Sequence, residues 1–478
     1  MQPVLTVADL TGVDARALQD EPLEALVARA GFAVAREAIR MLGGAYGRRI
    51  IVVAGPGNNG ADGKVAARVL AARGARVEVV GPDVASVGAC DLLVDAAFGT
   101  GFRGEYVAPE RPEGSRVLAV DVPSGVQGDS GIASGRPWRA ERTVTFVAPV
   151  PGLLQGDGKE LAGTVVVADI SLPAEPVDPD RRIDLVEDGD LARWLTPRGV
   201  RAHKWERALC LVAGSPGMAG AAHLAAAGAM RAGVGMVRLG MPGTDPATGA
   251  GLTEAVQFSL ESTNWSPPAL EAASRCHAMV VGPGLGRDET TPEEVRRVVD
   301  AAPGPLVLDA DGLFALGRIT TRLREGTGGQ GPGAGPVVLT PHDGEYDRLV
   351  GCPPGPDRVA AARYLATISG AVALVKGSTT AVADPSGRVL LVTSGSSALA
   401  TAGTGDVLSG VIGAFLAAGI PALEAAALAA HVHGRAGRLA SGVLVAGDLP
   451  ALVGEVVASL RNSGPESTPR GEHGHDGT

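Results

Sequence analysis

The feature that most constrains this chain is a recurring unit: a short run of aliphatic, largely β-branched residues, then a glycine-rich or oxygen-bearing turn, then a helical stretch. In the first half the runs are Arg49-Ile-Ile-Val-Val-Ala, Arg76-Val-Glu-Val-Val, Asp91-Leu-Leu-Val-Asp, Arg116-Val-Leu-Ala-Val-Asp, Thr143-Val-Thr-Phe-Val and Thr164-Val-Val-Val-Ala. In the second they include Ala208-Leu-Cys-Leu-Val-Ala, Ala278-Met-Val-Val-Gly, Pro305-Leu-Val-Leu-Asp, Pro336-Val-Val-Leu-Thr and Val372-Ala-Leu-Val-Lys. Continuous apolar runs of this kind suit strands buried on both faces, and helices between them imply parallel α/β sheets. Ligands in such sheets bind beyond the carboxyl ends of the strands, so the residues after each run carry the functional reading.

The chain has 478 residues, which at ~100–200 residues per domain argues for two or three domains. Pro173-Ala-Glu-Pro-Val-Asp-Pro-Asp can form neither a helix nor a central strand and separates the halves. The expected organisation is a first α/β domain over 1–175, a linker over 176–182, a second α/β domain over 183–461 and a disordered tail over 462–478. The tail is rich in Gly, Ser, Pro, Glu and His, and the glycine-rich insert 325–335 reads as a surface loop. Apolar residues (45%) against charged ones (20%) exclude a mainly disordered chain. With aromatics at 3%, the cores must be filled by Ala, Val and Leu. A net charge of −10 argues against nucleic acid as the main partner. Cys90, Cys210, Cys276 and Cys352 stand alone, with no zinc or disulfide spacing. Together with a start that lacks a basic, apolar leader, this predicts a cytoplasmic protein. The apolar stretch from Val407 to Val432 is diluted by glycines and broken by Pro421 and Glu424, so two buried helices are expected rather than a membrane span. Only four lysines occur, Lys64, Lys159, Lys204 and Lys376.

After the first strand comes Gly55-Pro-Gly-Asn-Asn-Gly-Ala-Asp-Gly63, which formally contains G-x-G-x-x-G. Glycines here allow positive φ and a close backbone approach to a phosphate at a helix start. The P-loop pattern fails, because Asn58 and Val65 stand at required Gly and Ser/Thr positions. Two further strand ends carry oxygen groups: Asp95 in Val94-Asp-Ala-Ala-Phe-Gly-Thr-Gly-Phe-Arg-Gly104, and Asp121 with Ser124 in Val120-Asp-Val-Pro-Ser-Gly125. Such oxygens converging on one sheet edge suit a hard cation or acid–base chemistry. A single Asp here equally serves as a helix cap; the set argues for a site.

These three ordered motifs resemble the NAD(P)H-hydrate epimerase family across essentially the whole first half. The resemblance implies a Rossmann-like three-layer αβα domain that interconverts the R and S epimers of hydrated NAD(P)H and uses a potassium ion. Carried over motif by motif, Asn59, Asp95 and Ser124 would be the ion ligands. Asn58, Asn59, Gly60, Ala61 and Asp62, the loop of Gly99, Thr100, Gly101, Phe102, Arg103, Gly104 and Glu105, and Asp121 would hold the substrate, with Asp121 catalytic. The family usually has Gly where Ala61 stands, so φ must stay negative there.

The strongest local signal in the second half is Ala400-Thr-Ala-Gly-Thr-Gly-Asp-Val-Leu-Ser-Gly410, a glycine-rich turn into a long apolar helix. Backbone N–H groups from Gly403 to Asp406 would meet an anion at the positive end of the helix dipole. Asp406 beside that anion is costly unless it acts as a base or holds a cation, though a plain helix cap is the simpler alternative. Lys376-Gly-Ser-Thr-Thr380 follows one strand and suits a nucleotide phosphate; Thr340-Pro-His-Asp-Gly-Glu345 follows another and presents His342. Val281-Gly-Pro-Gly-Leu-Gly286 and Ala213-Gly-Ser-Pro-Gly-Met-Ala-Gly-Ala-Ala222 are further glycine turns. His431 and His433, two apart on a helix, read as structural.

This ordered set resembles the ADP- or ATP-dependent NAD(P)H-hydrate dehydratases, a ribokinase-like α/β fold, over about 183–461. The resemblance implies nucleotide-driven loss of water from the S epimer, with ADP converted to AMP and phosphate and magnesium accompanying the nucleotide. Asp406 would be the base at the substrate hydroxyl, and Ala221, Gly284 and His342 would line the hydrate site. Gly403, Thr404 and Gly405 would cradle the transferring phosphoryl, and Lys376, Gly377, Ser378, Thr379 and Thr380 would bind the nucleotide with Gly405. The family often shows His-Lys-Gly-x-x-Gly before the first strand; here His203-Lys204 remains and both glycines are gone. The fusion predicts a bifunctional repair enzyme, with hydrated NAD(P)H and ADP or ATP as partners and a homo-oligomeric state. Three alternatives stand beside it: a small-molecule kinase of the same fold, a first half that only binds, and an NAD-dependent dehydrogenase.

Overall fold

The computed structural model describes residues 1–195, 198–246, 254–323, 335–440 and 442–462. The tail from 463 and all but the last residue of the 325–335 insert lie outside them.

In the first half, β1 (Gln2–Val4) precedes helices α1 (Val7–Asp20) and α2 (Leu23–Leu42). Then come β2 (Arg49–Ala54), α3 (Asn58–Ala72), β3 (Arg76–Val80), β4 (Leu92–Ala96) and β5 (Tyr106–Val107). They are followed by β6 (Val117–Val120), β7 (Gly135–Arg136), β8 (Arg142–Phe146), α4 (Gly156–Leu161) and β9 (Thr164–Ala168). Six of these strands form a parallel sheet in the order β3-β2-β4-β6-β8-β9. Strand order reverses between β2 and β4, so the carboxyl ends of β2, β4 and β6 open a crevice there.

The second half runs β10 (Ile183–Leu185), α5 (Asp188–Trp194), β11 (Ala208–Val212), α6 (Ala219–Ala232), β12 (Met236–Gly240) and β13 (Val256–Phe258). It continues with α7 (Ser266–Ala273), β14 (Ala278–Val281), α8 (Thr291–Ala301), β15 (Leu306–Leu308), α9 (Asp311–Leu316), β16 (Val337–Leu339), α10 (Asp343–Val350) and α11 (Arg358–Ser369). It closes with β17 (Val372–Val375), β18 (Thr380–Ala383), β19 (Val389–Val392), α12 (Thr404–Ala417), α13 (Ala422–Leu439) and α14 (Leu449–Asn462). The second sheet has eleven strands, in the order β1-β10-β19-β18-β17-β16-β15-β14-β11-β12-β13.

Two departures from the expected layout follow from chain geometry. The second sheet is parallel from β13 to β17, but β17, β18 and β19 pair antiparallel. The four residues from Lys376 to Thr379 are too few for a crossover, so they make a hairpin. The other departure is at the start: Gln2–Val4, expected within the first domain, pairs antiparallel with β10 as an edge strand of the second sheet. The boundary in sequence is therefore not the boundary in space.

The stretch read as two buried helices is α12 and α13, parted by Gly419 and Pro421. No helix among the described residues is long and apolar enough to cross a membrane. Small residues let these helices pack backbone to backbone. A methyl on Gly410 would sit 1.9 Å from the Ala225 carbonyl of α6, and one on Gly228 would sit 2.6 Å from the Val407 carbonyl of α12. This is how a core with few aromatics reaches native density.

Candidate functional sites

In the first half, β2, β4 and β6 each end in a polar turn at the crevice. Gly55 and Gly57 lead from β2 straight into α3, so Asn58 to Asp62 is the first turn of a helix, not a loop. The glycines serve close approach rather than positive φ: a methyl on Gly60 would lie 1.9 Å from the Gly55 carbonyl. Ala61 keeps negative φ inside this helix, where its methyl is tolerated. Asp95, at the end of β4, is buried and accepts bonds from Ser124 N at 3.0 Å and Ser124 Oγ at 2.5 Å. Phe98 N donates to the same hydroxyl at 2.9 Å. Asp121 follows β6 in the left-handed region (φ 68°), an outlier that Asp tolerates better than most residues. It accepts from Thr100 N at 2.7 Å, and a methyl on Gly99 would strike its Oδ2 at 2.5 Å.

These groups border a cavity of about 530 Å³. One side is apolar, with Leu10, Leu18, Leu23 and Leu26 from the first two helices. The other presents Asn59, Asp62, Thr100 and Asp121, with Asp14 entering from α1. The carboxyls perturb one another. Burial, then the charges of Asp121 and Asp14, pushes Asp62 up to about 8. Burial raises Asp121 despite its bond from Thr100, and burial and Asp121 raise Asp14. Like charges this close titrate as a unit, and such a cluster holds a proton at neutral pH.

The donor set fits a hard monovalent cation. Asn59 is buried, and neither its Oδ1 nor its Nδ2 has a partner. A buried amide oxygen without a donor is unusual enough to need a reason, and a cation beside Asp95 and Ser124 supplies one.

The second site lies at the carboxyl ends of β15, β16 and β17 and the start of α12. Gly403 caps α12 with φ 90° and leaves no room for a side chain: a methyl would lie 2.7 Å from Leu224. The first N–H groups of a helix have no intrahelical partner, so Gly405 and Asp406 present an anion-binding end. Lys376 comes in from β17, its Nζ only 3.5 Å from where a Gly405 side chain would begin. It pairs with Asp309 Oδ1 at 2.7 Å, and Thr340 Oγ1 donates to the same oxygen at 2.7 Å. Ser409, one turn into α12, donates to Asp309 Oδ2. Burial alone would raise Asp309, but Lys376 and these bonds outweigh it and hold the carboxyl below its usual range. Burial opposes the charge on Lys376 too; Asp309 and Glu345 overcome it and raise its pKa. Asp406 is different. Burial and the charge of Asp309 push it up to about 6, with Lys376 pulling back. That value suits a base working near neutral pH.

The N-terminal match is to the family model for the YjeF-related protein N-terminus, over residues 23–87 and 81–152. Residues 209–457 match the model for NAD(P)H-hydrate dehydratase. A bifunctional NAD(P)H-hydrate repair enzyme of Mycobacterium leprae is 36% identical over 501 residues, covering 97% of this chain and 99% of that one. One from Salinibacter ruber is 36% identical over 502 residues, covering 91% of each. The chain belongs to the bifunctional NAD(P)H-hydrate repair enzymes. Its first half is the epimerase domain and its second the dehydratase domain, which displaces the kinase and dehydrogenase readings. Among solved structures, an ADP/ATP-dependent NAD(P)H-hydrate dehydratase from Bacillus subtilis, co-crystallised with ATP and Mg2+, matches at TM-score 0.49 and 29% identity, covering 58% of this chain and 98% of that one.

Within the epimerase domain, Asn58, Asn59, Asp62, Gly99, Thr100, Gly101, Phe102 and Asp121 line the cavity. Gly60 and Ala61 lie behind them in the helix; Arg103, Gly104 and Glu105 are exposed and outside the cavity lining, and Arg103 Nη1 donates to Phe102 O at 2.8 Å. In the dehydratase domain, Ala221 and Gly284 touch, since a methyl on Gly284 would lie 2.8 Å from the Ala221 Cβ. His342 is exposed and caps α10, its Nδ1 accepting from Gly344 N at 3.0 Å and Glu345 N at 3.3 Å. Thr404 turns its hydroxyl into the loop, onto Leu399 O at 2.8 Å, and its N–H donates to Thr401 O at 3.3 Å. Thr379 is buried, and its hydroxyl faces the other domain rather than the Lys376 side. His431 and His433 are both buried; His433 bonds the Thr404 carbonyl at 2.9 Å and so steadies the start of α12.

Sequence reasoning gave Asp309, Glu345, Ser409 and Asp14 no role. Asp309 was detectable by the rule that singled out Asp95 and Asp121, since it too ends a strand run. It is followed by Ala310 at φ 49°, another non-glycine outlier at a site. Asp14 carried no such signal, because it sits on a surface helix that only the tertiary fold brings to the crevice.

Proposed function

We propose that the two sites act in series on hydrated NAD(P)H. The observation that carries this reading is Asp406, a carboxyl titrating near 6, set beside Lys376 at the anion-binding end of α12. A base there takes the hydroxyl proton of the hydrated nicotinamide carbon as that oxygen attacks the terminal phosphoryl of ADP. Gly403 to Gly405 hold the transferring group through backbone N–H, and Lys376 meets its charge. The oxygen then leaves as part of inorganic phosphate, the adjacent ring carbon gives up a proton to solvent as the ring regains its double bond, and AMP and NAD(P)H remain. Ala221, Gly284 and His342 line the hydrate side. Magnesium would arrive on the nucleotide phosphates and neutralise charge there.

In the epimerase cavity, inverting one carbon requires a bond there to break and re-form, with a proton given and returned. Asp121, held by Thr100 and raised by burial, moves that proton, and Asp62, protonated at pH 7, donates to the substrate. Asn59, Asp95 and Ser124 would hold a potassium ion that orients the substrate's polar groups. The apolar wall of α1 and α2 takes the ring face.

The test is absorbance at 340 nm after mixing the protein with an R/S mixture of hydrated NADH, magnesium and either ADP or ATP. Full recovery of NADH with one nucleotide is expected. Recovery of the S fraction alone refutes the epimerase assignment, and no recovery with either nucleotide refutes the dehydratase assignment.

A further inference from the structure

Two of the chain's four lysines meet on one hairpin loop. Lys376 opens the β17–β18 hairpin, and Lys159, from the epimerase domain, grips its far side. Lys159 is on α4, and its Nζ donates to the Ser378 carbonyl and to Thr379 Oγ1, the latter at 3.0 Å. Thr379, buried, donates its own hydroxyl to the Leu154 carbonyl of the epimerase domain. Beside them Gln155, also buried, bridges the same two bodies. Its Nε2 donates to Asp129 O at 2.8 Å and to Asp357 Oδ1 at 3.3 Å, and its Oε1 accepts from Arg358 N at 2.9 Å. Arg358 in turn lies against Gly377, its guanidinium 3.5 Å from where a side chain on Gly377 would begin. Leu154 itself packs into the dehydratase core.

We propose that the epimerase domain completes the nucleotide site of the dehydratase domain, with Lys159 as a positioning residue for the loop from Lys376 to Thr380. The inference rests on that loop being the nucleotide-binding element. In a trans peptide the carbonyl and the next N–H point in opposite directions. Fixing Ser378 O on Lys159 therefore turns Thr379 N–H away from the epimerase domain. A four-residue hairpin tip has few internal bonds to hold it, so an outside grip decides which of its N–H groups face a phosphate. Lys159 does not touch the nucleotide in this scheme. It acts through Ser378 and Thr379.

The experiment uses the full chain and measures both activities. Lys159→Met should raise the KM for the nucleotide in dehydration by roughly tenfold, the scale of one lost charge-assisted hydrogen bond. It should leave kcat within about twofold and epimerisation unchanged. Lys159→Arg, which keeps a cationic donor, should restore most of the affinity. A nucleotide KM unchanged in Lys159→Met, while Lys376→Ala raises it, overturns the proposal and leaves the loop assignment standing. A nucleotide KM unchanged in Lys376→Ala overturns the loop assignment and the proposal with it. A rise in KM accompanied by an equal loss of epimerisation, or by a lower thermal midpoint, overturns it as well, since that marks general damage to the interface.

Discussion

The ion pair between buried Asp309 and half-buried Lys376 offers the sharpest quantitative test of how the dehydratase site is held. Asp309 is 1% exposed, and its two oxygens take Lys376, Thr340 and Ser409. Removing one partner of a buried pair leaves the other charge without compensation, which costs ~3–5 kcal/mol. Asp309→Asn should fall at the low end, about 3 kcal/mol, because Glu345 and Asp406 also face Lys376. Lys376→Met should cost a similar amount, since Thr340 and Ser409 still donate to the remaining carboxylate. The double variant removes both charges and loses only hydrogen bonds worth ~1 kcal/mol each. It should therefore cost less than the sum of the singles by at least ~2 kcal/mol. Urea unfolding followed by circular dichroism reads this directly: at an m-value of about 3 kcal/mol/M, each single variant loses about 1 M in midpoint. The pKa of Asp309 is lowered and that of Lys376 raised. The pair's contribution is thus lost on acidification through the Asp309 pKa and on alkalinisation through the Lys376 pKa, and a neutral assay sits between. Additive singles, or singles that each cost less than ~1 kcal/mol, would refute the claim that this pair carries the site.

Three further outcomes are expected. Asp406→Asn should cut dehydration by ~10²–10⁴-fold and spare epimerisation; in the parent enzyme, log kcat/KM for dehydration should rise with pH up to about 6 and then level, because the base must be ionised. The same pKa, raised on folding, means that stability from the protonated form is lost as pH rises through 6, so Asp406→Asn should melt no lower than the parent at pH 7. Epimerisation should decline above about pH 8 as Asp62 loses its proton, and Asp62→Asn should remove that alkaline limb; an unchanged pH profile in the variant would count against Asp62 as the donor. Gly403→Ala should destabilise the dehydratase domain by ~1–3 kcal/mol, since φ 90° suits only glycine and a methyl would meet Leu224 at 2.7 Å and Ala446 at 3.0 Å; a thermal melt unchanged within error would contradict it.

The strand runs, the glycine turns and the acidic strand ends were all visible as local pattern, because a doubly covered parallel strand needs an unbroken apolar run and its ligand needs a polar end. Asp95, Asp121, Ser124, Lys376 and Asp406 were singled out by that rule, whereas Asn59 came from the resemblance to the epimerase family. The same rule reached Asp309 without giving it a role, since an ion pair with Lys376, 67 residues away, has no local signature.

What the sequence determined by itself was thus the class of fold, the two sets of motifs and the residue types at each site, all of which depend on short-range periodicity and on turn chemistry. Tertiary structure alone decided the rest. It sent Gln2–Val4 into the far sheet and brought Asp14 from a surface helix to the epimerase cavity. It turned the Thr379 hydroxyl toward the epimerase domain and placed Lys159 against the loop 220 residues downstream. Each of these is a contact between segments distant in the chain, and its energy comes from burial and charge pairing that exist only once the two sheets are formed and docked.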